Sequence, residues 1–458
     1  MKKGKLQAGV SEVKITPPAV GTFLIGPVES STGVHDELFA RVLVLDDGKK
    51  RIAIVTMDIC GLDFTLVEEM RTEIERKTGI PNNRIMLNCS HTHNAPLTIP
   101  WYVSEWMKFE EEMGEWRDKL INSVAVSVKI AISNLQEAKL SFGREPVQIG
   151  FNRRLYTKDG IVMKPNHKGA VMPWVDVLRI DGNDNKPIAV LFSHAAHPVI
   201  VHGASTLISA DYPGYAISTI KKSLGRDVVA MFAQGCGGNV NGKPLQGGFK
   251  KAEEAGTILG NAVVKAARKS QLLTESNLRS FSLELQLPFQ SPPTPKECEK
   301  VLKIKEDEYE KARVKKGANE KSLWYAHNIV LVLRDLLKIA KKGEKKTLKF
   351  EIQAFAIGNE LCITGMTHEM FAEYQLWINE VSSFKRNMVF GYTNGCESYI
   401  PCEKDFALGG YEAGSFPTSC APLAYHNRLT LEPRIEKQIK AGLAQVLHKV
   451  RKRVNVKW

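Results

Sequence analysis

Short apolar runs that stop abruptly at histidine, asparagine or glycine recur along this chain, and they favour folds whose strands end at a shared polar face. The clearest is Arg84-Ile85-Met86-Leu87, which breaks into Asn88-Cys89-Ser90-His91-Thr92-His93-Asn94-Ala95-Pro96. A buried strand gives way there to a loop, and open α/β sheets carry their reactive groups beyond such strand ends. Residues two apart in a strand share a face, so His91 and His93 are both able to aim into one cleft. Neutral imidazole suits zinc and similar borderline metals, which makes His-x-His one half of a metal site. A hydrogen-bonded surface pair is the other reading of the same two residues.

The pattern returns further along the chain. A hairpin over 39–46 and 51–57, turning at Asp47-Gly48, runs up to Asp58. A helix follows over 63–77, with Leu66, Met70 and Ile74 on one face and Gly79 as its stop. A second hairpin, over 177–180 and 188–192, leads into Ser193-His194-Ala195-Ala196-His197-Pro198. Asp211 is placed to cap a helix reaching Lys222, with Pro213 in its first turn. A strand over 228–232 opens into Gln234-Gly235-Cys236-Gly237-Gly238-Asn239-Val240-Asn241-Gly242, which lacks the lysine of a P-loop and the spacing of a dinucleotide loop. A tight backbone approach to a ligand or metal shell is expected of it. Later runs end at Thr367-His368-Glu369 and at Thr393-Asn394-Gly395. Residues 296–346 read as two helices parted at Gly317-Ala318-Asn319, a helical-hairpin excursion. No internal repeat is visible. The pattern predicts a mixed α/β fold, one large domain of 458 residues with a mixed sheet flanked by helices and a metal site at the strand ends.

Composition narrows the function classes. Hydrophobic residues at 43% and charged residues at 25% are ordinary for a globular protein. No run approaches the roughly 18 apolar residues of a membrane span, and residues 1–7 carry charge without the apolar stretch of a secretory signal. The 8 cysteines are scattered without Cys-x-x-Cys spacing, so reduced thiols and a cytoplasmic location are expected. A net charge of +13 raises nucleic acid as a partner. The lysine clusters lie on predicted helices without interleaved aromatics, which favours solvated faces and no nucleic-acid partner.

Taken in order, several segments resemble the neutral/alkaline ceramidase family of zinc amidases, in its N-terminal catalytic domain. They are Ile15-Thr16-Pro17-Pro18, Ser90-His91-Thr92-His93, Phe151-Asn152-Arg153, Ile208-Ser209-Ala210-Asp211, the glycine-rich loop from Gln234, and Tyr399 with Tyr411-Glu412. The resemblance implies one zinc per chain, held by His91, His197, Glu369 and Tyr399, with His93, Arg153 and Tyr411 lining the reacting centre. It leaves His194 and His202 to the surroundings or the core. It also implies cleavage of an amide (N-acyl) bond of a small molecule by metal-activated water, with an ester as the alternative. For single residues other roles stay open. Glu369 fits a helix N-terminus, Tyr399 a packed aromatic, and Asp58 and Asp211 are candidates to orient the ligand histidines.

The family pattern is not met throughout. Asn239 and Asn241 stand where family ceramidases carry an aspartate and a serine, so ceramide itself is not the expected substrate. A non-catalytic binding protein on the same scaffold is the competing class. The β-sandwich that family members append after the catalytic domain is not expected here. The aromatics Trp101, Tyr102 and Trp106 suggest an apolar wall beside the histidines.

Overall fold

A computed structural model describes residues 6–96, 98, 109–315, 320–343, 345–414, 416 and 429–451. Trp101, Tyr102, Trp106 and the turn at 317–319 lie outside the described residues. The fold is mixed α/β, with its strand pairing spread over three larger sheets.

One supersecondary unit builds all three. An antiparallel hairpin is followed by a helix and then by a strand that pairs in parallel with the hairpin's second strand. In the first unit the hairpin is Phe39–Asp46 with Arg51–Met57, the helix Phe64–Thr78 and the parallel strand Ile85–Cys89. In the second they are Trp174–Asp181 with Pro187–His194, Tyr212–Leu224 and Val229–Gln234. In the third they are Thr347–Ile357 with Leu361–Met366, Ala372–Val381 and Arg386–Phe390. A repeat absent from the sequence is therefore present in the backbone, because hairpin geometry and a buried pleat constrain residue class more than identity.

Alternation along the strands explains how the units pack. Leu43, Leu45, Ile52 and Ile54 of the first sheet join Leu178, Ile180 and Leu191 of the second and Phe355, Ile357 and Ile363 of the third in one shared core. The intervening residues face outward under helices. Val42, Val44 and Val55 lie under Leu66 and Met70 of the first helix and under Leu120 and Val124 of Phe109–Ser133. Val177 and Val190 lie under Tyr212 and Ala216 and under Leu259 of Gly248–Arg268. Phe350, Ile352 and Ala354 lie under Tyr374, under Leu336 of Glu320–Lys342 and under Ile439 of Ile435–Val450. Each strand is buried on both faces, hence its near-continuous apolar run.

Local signals set the element ends where the sequence places them. The Asp63 side chain accepts from the Leu66 N–H, and Gly79 closes the helix at φ 71°. The excursion is a pair of helices, Pro295–Arg313 and Glu320–Lys342. The first is stopped at its N-terminus by a Thr294/Glu297 capping box.

Candidate functional site

The three units converge at their strand ends. Asn88 joins them: its Oδ1 accepts from the Gln234 N–H at 2.9 Å, and its Nδ2 donates to the Gly391 carbonyl at 2.8 Å. Gly391 N–H in turn donates to the Gln234 carbonyl. Beyond this junction the first unit delivers His91 and His93, the second His197, and the third Glu369. The three histidines come from loops that follow a strand, and Glu369 from the short strand Glu369–Met370 just beyond Leu361–Met366.

His197 Nε2 lies 3.0 Å from Glu369 Oε2, and His91 Nε2 lies 3.3 Å from the same oxygen. One atom from each of these three residues falls within 4.8 Å of the others. The opposite ring nitrogens are tied to the backbone. His91 Nδ1–H donates to the Cys60 carbonyl at 2.6 Å, and His197 Nδ1–H to the Gly237 carbonyl at 2.7 Å. That arrangement fixes each ring's orientation and turns both Nε2 atoms toward Glu369. Backbone carbonyls do the orienting, and the two aspartates have other roles. Asp58 accepts from Arg41 Nη1 and the Phe39 N–H, and Asp211 from the Val201 and Tyr212 N–H groups.

Close backbone approach explains the glycine loop. A Cβ on Gly238 would collide with the Glu369 carbonyl. The loop thus packs directly on the strand end that carries the carboxylate, as expected of it.

His93 stands beside the trio, its Nε2 3.3 Å from His91 Nε2 and its ring 5.1 Å from that of His202. On the other side Arg153 is buried. Its Nε donates to Glu412 Oε1 at 2.7 Å and its Nη1 to Asn241 Oδ1 at 2.9 Å, with His197 Nε2 3.5 Å away. Tyr399 pairs in register with Glu369 in a short parallel ladder. Arg153 lies over its ring at 5.4 Å, and the Tyr411 ring is 5.8 Å from it. Tyr411 is 39% exposed, at the outer rim of the group. All seven candidate residues therefore belong to one cluster. His194 is core: it is fully buried, its Nδ1 3.0 Å from the Trp174 carbonyl.

Burial works against charge at each of these groups, and neighbours decide the result. At Glu369 burial is overridden by His91 and His197, which hold the carboxyl well below the usual carboxylate range. At His91 burial is overridden by Cys60 and Glu369, which carry it up to about 10. Burial prevails at His93, reinforced by the neighbouring imidazoles, and its pKa is pushed well below the usual value. Burial and Arg153 take His197 down to about 4.

Two contributors escaped the sequence reading. Cys60 places its Sγ 3.5 Å from His91 Nδ1. Tyr392 donates from its hydroxyl to Glu369 Oε2 at 3.3 Å. Tyr392 follows the strand Arg386–Phe390 by two residues, so the strand-end rule that singled out His91 also points to it. In the sequence it reads as the last residue of an apolar run.

Two solved structures share this architecture. One is the neutral ceramidase from Pseudomonas aeruginosa, with a TM-score of 0.70 and 18% identity over 98% of this chain and 75% of that one. The other is a ceramidase complexed with C2, with a TM-score of 0.72 and 16% identity over 98% of this chain and 76% of that one. Identities this low establish the shared fold. At the sequence level, residues 6–256 match the family model of the neutral/alkaline non-lysosomal ceramidases, N-terminal region. That match covers more than half of the chain, and the chain belongs to the neutral/alkaline non-lysosomal ceramidase family.

Proposed function

We propose that this member of the family is a zinc-dependent amidase that cleaves an N-acyl bond of a small molecule. The observation that carries the reading is the pair of imidazoles whose Nδ1 atoms are tied to backbone carbonyls and whose Nε2 atoms meet at one carboxylate oxygen. Two imidazole nitrogens and one carboxylate suit zinc, with Tyr399, the register partner of Glu369, as the fourth ligand. A zinc ion there supplies a Lewis acid and an acidified water. The chain's own groups supply the rest. His93, whose Nδ1 has no hydrogen-bond partner among the described residues, moves a proton toward the leaving amine. Arg153, held in place by Glu412 and Asn241, stabilises negative charge developing on the carbonyl oxygen. Tyr411 closes the rim over Tyr399.

Asn239 and Asn241 are committed to structure. Asn239 Oδ1 accepts from the Ala372 N–H and its Nδ2 donates to Glu373, while Asn241 holds Arg153. No hydroxyl replaces the family serine at 241, which argues against ceramide itself as the substrate. A reducing compartment such as the cytoplasm is supported by seven cysteines that are unpaired and buried among the described residues.

Metal analysis of protein purified without added metal tests the site, and N-acyl amino acids, short N-acyl amines and aryl esters test the reaction. His91→Ala is expected to lose the metal. His93→Ala is expected to keep it while turnover falls by about 100-fold or more. Metal loss in both variants makes His93 a ligand. Absence of zinc, with no hydrolysis restored by adding it, sinks the proposal, and hydrolysis of esters alone corrects the bond.

A further inference from the structure

Tyr392 has no part in the ligand set proposed above, yet it touches every member of the central trio. Its hydroxyl donates to Glu369 Oε2, the oxygen on which both imidazoles converge. Its ring lies against His91 with centroids 4.3 Å apart and stands edge-on to His197 at 5.9 Å. The backbone holds it there from two sides. Its N–H donates to the His368 carbonyl, one residue before Glu369, and its carbonyl accepts from the Cys89 N–H, two residues before His91. The residue is 1% exposed and sits at φ 48°, a left-handed conformation that a bulky side chain rarely adopts. His91 and His368 also have positive φ, at 67° and 70°. Three residues in that uncommon conformation within one cluster indicate that surrounding structure dictates where these side chains point.

We infer that Tyr392 is a positioning residue whose hydroxyl orients the Glu369 carboxylate toward the metal, and this rests on the metal reading of the site. A carboxylate turns freely about its last bond unless a donor holds one oxygen. An apolar side chain of the same shape would fill the space against His91 without supplying that donor. Hydrogen bonds to metal-ligating carboxylates raise affinity by fixing the ligand before the ion arrives.

The test uses the full chain, stripped of metal and titrated with cobalt(II), with zinc affinity read by competition against a chromophoric chelator. Tyr392→Phe keeps the ring and removes only the donor. It is expected to weaken affinity about 10-fold or more and to change the visible cobalt spectrum, which reports ligand geometry. Tyr392→His, with a ring and an N–H donor, is expected to recover part of the affinity. Tyr392→Leu gives the same readout should the phenylalanine variant not fold. Wild-type protein that binds cobalt, with Tyr392→Phe matching it in affinity and spectrum, overturns this inference and leaves the metal reading standing. Wild-type protein that binds neither ion overturns both.

Discussion

Asp211 shows how much one buried residue carries. It was legible in the sequence as a helix cap, and its side chain does accept from the Tyr212 N–H at the start of Tyr212–Leu224. The structure adds a second task, because the other carboxylate oxygen holds the Val201 N–H at 2.8 Å, in the loop that follows His197. Burial pushes its pKa from an ordinary 3.8 up to about 7, with the neighbouring Asp36 adding in the same direction. The folded protein therefore binds this proton more tightly than the unfolded chain does. The stabilisation is complete below about pH 4 and is lost as pH rises through about 7. Asp211→Asn, which keeps an acceptor and cannot ionise, is expected to flatten the fall in urea-unfolding free energy between pH 4 and 7. An unchanged slope in that variant would refute the assignment. Nothing in the sequence around Asp211 announces the shift, since burial is a property of the packed molecule.

At the level of elements, the predictions that held rest on local chemistry. Hairpins, helix stops and caps depend on residues a few positions apart, and the same physics acts in any context. The Thr294/Glu297 capping box rests on the same local chemistry. Thr294 Oγ1 accepts from the Glu297 N–H, and Glu297 Oε2 accepts from the Thr294 N–H at 2.8 Å. Thr294→Ala is expected to cost about 1 kcal/mol in urea denaturation, with hydrolysis unchanged because the helix carries no site residue. A loss below about 0.3 kcal/mol shows the helix to be held by packing alone. The partner helix Glu320–Lys342 belongs to the same helical-hairpin excursion. Its inner face, with Leu333, Leu336 and Ile339, belongs to the core of the third sheet. Its apolar stripe was legible, but what the stripe packs against was not, because the sheet draws on strands that lie on both sides of the helix in sequence, Leu278–Pro288 and Thr347–Ile357.

Across the whole molecule, the site exists because three copies of one unit bring their strand ends together, tied by Asn88, Gln234 and Gly391. On the proposed reading, a metal held by His91, His197 and Glu369 would span all three units, and binding to the folded form alone would raise stability by mass action. Saturating zinc is thus expected to raise Tm by several degrees over chelator-treated protein, a gain of about 3 kcal/mol at a hundredfold excess over Kd. His197→Ala is expected to abolish the increment, and an increment that survives in that variant places the ion elsewhere. The sequence by itself determined the fold class, the hairpins, the helix caps and the strand ends that carry polar residues. Each follows from periodicity or from neighbours within one turn of chain. It also carried the family motifs from which seven site residues were picked. Only tertiary structure decided which groups orient the histidines, that Tyr392 faces Glu369, and that three unlike sequences form one repeated unit. Those facts depend on contacts between segments up to about 300 residues apart, for example Asn88 with Gly391, and such contacts leave no local pattern in a single chain.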